Sequence, residues 1–215
     1  PESIALNGGA TASFVIQKNK TLFFCNVGDS RSFLVAASVS NTELLDATVV
    51  HSTEMHKPDS PGERARLEAA GMIVEVKDGD DSRVWYTSEG GIQSGLAMSR
   101  ALGDRDAGAA VTAEPVIDIL DIDNVQSQID CLVPINADGS MGACEVHLFV
   151  VSATDGLLDY VRPDAIAFQL AQAYFENKHL VSTTEALVHQ AAAKWHEEFH
   201  GNYRDDIAIA VSRVT

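Results

Sequence analysis

Four aspartates sit where strand-like runs end or begin: Asp29 after TLFFCNVG, Asp155 after LFVVSAT, Asp159 four residues on, and Asp205 just before DIAIAV. An aspartate in such a place is ordinarily a turn former, its carboxylate taking nearby backbone N–H groups. Together the four point to other chemistry. If their strands are neighbours in one sheet or in two stacked sheets, the carboxylates converge, and close-packed carboxylates repel unless a hard cation neutralises them. Mg²⁺ or Mn²⁺ is the expected guest. Asp159 follows Asp155 by four, so a helical turn through TDGLLD sets both carboxylates to one side.

A competing metal pattern lies near the end of the chain. His196-Glu197-Glu198-Phe199-His200 matches H-E-x-x-H, in which two histidines one helical turn apart bind Zn²⁺ and the glutamate acts as base of a protease. A third ligand is needed downstream, yet only fifteen residues follow His200, and GNYRDD lacks the glycine and histidine at the spacing of the extended motif. Asp205 or Asp206 would have to serve. The bland reading is a solvated helix face opposite Leu187, Ala191 and Trp195. His51, His147, His179 and His189 share no ligand spacing, and no G-x-S-x-G or comparable arrangement marks a serine nucleophile. Cys25, Cys131 and Cys144 are odd in number and without C-x-x-C spacing, which fits a reducing compartment rather than a disulfide framework or a thiolate zinc site.

The elements that must carry these residues are legible as an alternation of short strands and a few helices. ATASFVIQ, TLFFCNV and RSFLVAA, separated by Lys18-Asn19-Lys20 and Gly28-Asp29-Ser30, predict an antiparallel meander. Ser60-Pro61-Gly62-Glu63 supplies a cap, a proline at the first helical position and a capping-box carboxylate ahead of ERARLEAAG. MIVEV and RVWYTS predict a hairpin, and the glycine-rich GGIQSGLAMSRALGDRD a structured loop. AEPVIDIL and EVHLFVVSA read as strands, with a surface insertion between them from Asp121 to Cys144. Pro163 opens one helix through DAIAFQLAQAYFEN; Ser182 with Glu185 makes a second capping box before ALVHQAAAKWHEEFH, and DIAIAVSRV closes the chain as a strand. This order predicts an α+β layered fold, read as a single domain over 1–215, with two small domains as the other division of 215 residues.

Composition narrows the partners. The chain is 46% hydrophobic, enough for a large core, and its net charge of −16 repels phosphate backbones and anionic lipid while drawing cations inward. Nucleic acid is excluded as an expected partner. The longest apolar run, HLFVVSA, is far short of the roughly 20 residues a membrane span needs, so no membrane association is expected.

GDSR (Gly28 to Arg31), HKP (His56 to Pro58), the ERARLEAAG helix, SRALGD (Ser99 to Asp104), EP (Glu114, Pro115), TDGLLD (Thr154 to Asp159) and DDI (Asp205 to Ile207) occur in that order. Together they resemble the type 2C metal-dependent Ser/Thr protein phosphatases. The resemblance implies a two-sheet antiparallel β-sandwich flanked by helices, a four-layer αββα arrangement, with metal at one end of the sandwich. It implies that Asp155 and Asp205 are the primary ligands of two or three Mg²⁺ or Mn²⁺ ions and carry catalysis through a metal-activated water. Asp29 and Asp159 would hold a further ion. SRALGD and the hairpin around Trp85 would flank the cleft, the plain alternative being a surface loop with a buried Leu102; His56 and Lys57 read as structural.

The implied activity is hydrolysis of phosphoserine and phosphothreonine in proteins, a signalling role, in a monomer of the cytoplasm or nucleus. Three departures bear on it. The family's opening segment, with its phosphate-gripping arginine and DGHGG metal motif, has no counterpart in this sequence. Asp206 stands where the family has asparagine, and Met55 where it has aspartate. A catalytically impaired pseudophosphatase acting as a scaffold is therefore the alternative reading, and these 215 residues are expected to be an N-terminally incomplete domain with an exposed sheet edge and apolar surface.

Overall fold

The structure, a computed structural model, describes residues 8–40, 43–76, 82–88, 90–129 and 145–215. The strands are β1 (Gly9–Ala10), β2 (Ala12–Lys18), β3 (Thr21–Val27), β4 (Arg31–Ser40), β5 (Glu43–Ser52), β6 (Ile73–Glu75), β7 (Arg83–Thr87), β8 (Gln93–Leu96), β9 (Leu102–Gly103), β10 (Val116–Asp121), β11 (Glu145–Ala153) and β12 (Ile209–Arg213). The helices are α1 (Pro61–Ala69), α2 (Ile122–Gln128), α3 (Asp155–Leu158), α4 (Pro163–Phe175) and α5 (Leu180–Phe199). The chain divides into two compact units: one from Pro1–Phe14, Cys25–Ser30 and Glu54–Ile117, the other from Val15–Phe24, Arg31–Thr53 and Asp118–Thr215.

The second unit is built on an antiparallel sheet in the order β12-β11-β4-β5. Side chains alternate across a strand, so β4 serves two cores at once. Phe33, Val35 and Ala37, with Phe149, Val151 and Ala153 of β11, pack against Ile166, Ala167, Leu170 and Ala171 of α4 and Leu187 and Ala191 of α5. The opposite side chains, Leu34, Ala36 and Leu148, pack against Leu22 and Phe24 of β3 and Ile122 of α2. The strand β3 is central in a second sheet, in the order β10-β3-β2. Helix, sheet, sheet is the layering of an α+β sandwich.

The first unit carries an antiparallel sheet in the order β6-β7-β8 and the short pair β1-β9. Its core is Leu67 of α1 with Val84, Ala101, Ala107 and Val111.

Most expected elements form, and the departures are instructive. β3 and β4 do not continue a meander: the chain passes from one sheet to the other at Gly28, whose φ of +97° only glycine adopts without strain. β5, absent from the expected elements, pairs with β4 through two register shifts, after Leu34 and after Ser38, which erase the period-2 signal in its sequence. The glycine-rich segment after Thr87 contributes a third strand, β8, to the predicted hairpin. The surface insertion expected from Asp121 opens with a helix: Asp121 ends β10 and its side chain accepts from Asn124 N at 2.9 Å, while Ile122 is buried. Residues 130–144 lie outside the described residues. Ser182 and Glu185 do not cap, because α5 starts earlier, after His179. Leu102 is 45% exposed, not buried.

Candidate functional site

The acidic residues of the second unit are positioned by the ends of β11 and β12. Their last rung pairs Ala153 with Ile209. Beyond it Thr154 continues the connection: its N–H donates to Ala208 O at 3.1 Å, its hydroxyl donates to Asp206 O at 2.8 Å, and the same oxygen accepts from Ala208 N at 2.9 Å. Asp155 then opens α3, its Oδ1 accepting from Gly156 N at 2.9 Å.

Gly156 presses against the facing segment. A Cβ at this position would lie 2.6 Å from Asp206 O and 3.2 Å from Asp205 Cβ, so only glycine lets the two turns meet. Trp195 pins the contact from behind, its Nε1 donating to Gly156 O at 2.7 Å in a buried bond. Across the junction Asp205 Oδ1 accepts from Asp206 N at 2.9 Å, and Oδ2 accepts from Tyr203 Oη at 3.5 Å. Asp159 caps α3 one turn on, its N–H donating to Asp155 O at 2.9 Å. Asp155, Asp159 and Asp205 are therefore brought to one end of the four-stranded sheet, Asp155 and Asp205 half-buried and Asp159 exposed.

Asp29 belongs to the first unit, where it is 1% exposed and paired with Lys57 Nζ at 2.9 Å. The neighbouring residues repeat the pattern. Gly28 N donates to His56 Nδ1 at 3.0 Å, and His56 N donates to Gly28 O at 3.0 Å. GDS and HKP are thus two halves of one clamp, His56 on Gly28 and Lys57 on Asp29. A Cβ on Gly28 would meet Thr11 Cγ2 at 2.3 Å, while Thr11 and Ser30 join hydroxyls at 2.6 Å. Burial first, then the positive charge of Arg100, pushes the His56 imidazole below its usual pKa, so it stays neutral and free to accept at Nδ1.

Glu63, expected to cap α1, instead anchors a buried network in the same unit. Arg100 reaches both its oxygens, Nη2 to Oε1 at 2.6 Å and Nε to Oε2 at 3.1 Å. Arg66 Nη2 and Ser99 Oγ add contacts of 2.7 and 2.6 Å to Oε2. Burial alone would raise the carboxyl pKa, but the bonds from Arg100, Arg66 and Ser99 hold it far below the carboxylate range. The ERARLEAAG and SRALGD motifs are tied by this carboxylate. Sequence spacing gave no sign of it, because Glu63 also suits a capping box.

The H-E-x-x-H run does not present a zinc face. His200 leaves α5 in a left-handed conformation, φ +53°, so it no longer stacks one turn above His196. Glu197 is paired with Lys194 at 2.9 Å, and Glu198 accepts from Tyr160 Oη.

The family model described as protein phosphatase 2C matches residues 2–133, more than half of the chain. The chain belongs to the protein phosphatase 2C family. A probable protein phosphatase 2C 12 of Oryza sativa subsp. japonica is 30% identical over 200 residues, 92% of this chain and 44% of that protein. A probable protein phosphatase 2C 76 of Arabidopsis thaliana is 33% identical over 165 residues, 77% of this chain and 30% of that protein. Among solved structures, a serine-threonine phosphatase 2C from Toxoplasma gondii matches with a TM-score of 0.63 at 20% identity, over 94% of this chain and 57% of that one. That likeness shows the α+β sandwich fold. This phosphatase 2C chain spans less than half the length of the two curated relatives.

Among the described residues of this phosphatase 2C chain, no three His, Cys, Asp or Glu side chains form a group that could cage a metal ion. The Asp155 and Asp205 pair fits a less demanding guest. Mg²⁺ keeps several waters and is typically held through one or two carboxylates, whereas a closed zinc site needs about four protein ligands.

Proposed function

We propose that this chain is part of a metal-dependent protein serine/threonine phosphatase that acts on phosphorylated proteins in the cytoplasm or nucleus. The observation that carries the reading is the packing of Gly156 on Asp205-Asp206, which sets two carboxylates from distant parts of the chain on adjoining turns. Asp155 and Asp205 would hold Mg²⁺ or Mn²⁺, with Asp159 beside them and Asp29 assigned to a further ion. The bound ion supplies charge neutralisation and a more acidic attacking water.

The chain's own residues supply position. Thr154 and Trp195 fix the two turns, and Tyr203 orients Asp205 through its hydroxyl. A phosphoserine carries a charge of about −1.5 to −2. A chain of net charge −16 repels it, so a cation held by Asp155 and Asp205 would make approach favourable.

A second reading, a catalytically impaired scaffold, draws on one observation: Lys57 already neutralises Asp29. One experiment separates them. The full-length protein should release phosphate from a phosphothreonine peptide in the presence of Mn²⁺, and Asp155→Asn should slow release by at least about 100-fold, the upper end of what loss of an outer-shell metal partner costs. Equal rates in the two proteins remove the assignment of Asp155, and no release from either favours the scaffold.

A further inference from the structure

A cavity of about 450 Å³ opens in the second unit among Lys20, Ile122, His147, Leu148, Arg213 and Val214. It lies at the start of β11, whereas Asp155 follows the end of that nine-residue strand. At about 3.3 Å per residue the two places are roughly 26 Å apart. The cavity is therefore separate from the candidate catalytic pair.

Its walls combine an apolar floor with the guanidinium of Arg213, and they include one carboxylate, Glu145, which lies 3.4 Å from His147 Nε2 and makes no ion pair with Arg213. Ile122 and Leu148 are 5% and 3% exposed. Arg213 is held by the Tyr174 hydroxyl and the His147 ring rather than by a carboxylate. Its Nη1 donates to Tyr174 Oη at 2.6 Å, its Nη2 faces His147 Nδ1 at 3.1 Å, and its guanidinium carbon stands 5.5 Å from the centre of the Tyr174 ring. The His147 ring is in turn set edge-on to Phe175 at 5.1 Å. Among the described residues no carboxylate pairs with Arg213, although the chain has an excess of sixteen negative charges. Lys20, the other cation of the wall, already holds Asp123 at 2.6 Å. A guanidinium fixed in space above apolar side chains is the usual equipment for an anionic head group on an apolar body, and pockets of this size, mainly apolar with a few placed polar groups, are typical ligand sites.

We propose that this cavity binds an organic anion, one phosphate or carboxylate group carried on an apolar body. Arg213 takes the head group, and Ile122, Leu148 and Val214 take the body. Lys20 adds long-range attraction but no dedicated contact, because its ammonium is engaged.

The test follows backbone amide shifts of the full-length protein during titration with phenylphosphonate, benzoate, inorganic phosphate and benzyl alcohol in metal-free buffer. Phenylphosphonate or benzoate should move the amides of His147, Leu148 and Val214, and the tighter of the two identifies the head group. Inorganic phosphate and benzyl alcohol, each carrying half of the required chemistry, should bind at least tenfold more weakly. Arg213→Gln should weaken the preferred probe at least tenfold and Lys20→Gln less than threefold. Tyr174→Phe, which keeps the ring and removes the hydroxyl that holds the guanidinium, should weaken it severalfold and serves if Arg213→Gln does not fold. Asp155→Asn should leave this binding unchanged, so the result stands or falls apart from the phosphatase reading. Shifts centred on residues 155 and 205, an Arg213→Gln protein that titrates like the parent, or the absence of shifts at His147 and Val214 would each overturn the proposal.

Discussion

His56 and Glu63 are both buried and titratable, and they respond to acid for opposite reasons. His56 accepts from Gly28 only while neutral, and its pKa is lowered from 6.5 by burial and then by Arg100. A folded-state pKa below the unfolded one means that stability is fully present above about pH 6.5 and is lost as pH falls below it. The urea midpoint should therefore drop between pH 7 and pH 5, and His56→Asn should flatten that slope while lowering the midpoint at pH 7; an identical pH slope in both proteins would refute the role given to His56. Glu63 is ionised in the fold, its pKa lowered from 4.5 by Arg100, Arg66 and Ser99 against the effect of burial, so its contribution disappears only as pH falls below about 4.5. Removing its charge as Glu63→Gln leaves Arg100 and Arg66 without a counter-ion, and breaking a buried pair of this kind costs about 3–5 kcal/mol. Chemical denaturation at pH 7 measures it, and a loss under about 1 kcal/mol would mean that the network is mostly solvated. The sequence suggested a helix cap at this position because a glutamate three residues after a serine is what a cap looks like. What overrode it was the pull of two arginines, one of them thirty-seven residues away.

At the scale of elements, the site depends on how α3 meets the segment before β12. Gly156→Ala puts a methyl group 2.6 Å from Asp206 O, a backbone atom that cannot swing away. The turn must shift, at a cost of roughly 1–3 kcal/mol for overpacking. Trp195→Phe removes the donor to Gly156 O and leaves a buried carbonyl unpaired, again a cost of about 1–3 kcal/mol. The two variants should melt alike yet differ in function: Gly156→Ala drives Asp155 and Asp205 apart and should lose Mn²⁺-dependent activity at least tenfold more than Trp195→Phe. Equal activities would show that the spacing of the two turns does not matter. These elements were largely legible in the sequence, since VHLFVVSATDG and DIAIAV carry long apolar runs that stop at aspartates. The crossover between β3 and β4 was not, because a strand alternates with the same period whichever sheet it joins. Only Gly28, with its positive φ, marks the place where the chain changes sheets. The start of α5 was misplaced for a related reason: Ser182 has the chemistry of a cap, but Val181 and Leu180 already lie in the helix.

For the molecule as a whole, charge and exposed apolar surface oppose each other. In the three-stranded sheet, Leu22 and Phe24 of β3 point into the core, whereas Phe14 and Ile16 of β2 are 47% and 51% exposed and Ile117 and Ile119 of β10 are 52% and 65% exposed. Single exposed side chains are ordinary, but alternating large apolar side chains on both outer strands of one sheet are a basis for association. The net charge of −16 works against that association by mutual repulsion, and this protection is only as long-ranged as the ionic atmosphere allows. The Debye length falls from about 30 Å at 0.01 M salt to about 3 Å at 1 M. Residues 1–215 alone should therefore stay dispersed in dilute buffer and associate as sodium chloride is raised, the reverse of what an association driven by opposite charges would do. Ile16→Thr with Ile119→Thr keeps β-branched side chains suited to strands and removes apolar area from the exposed positions, so the double variant should remain dispersed at 1 M salt with little change in melting temperature. Light scattering against salt concentration reads both effects, and a parent chain that scatters no more at 1 M than at 0.01 M would show that these side chains do not make the sheet adhesive.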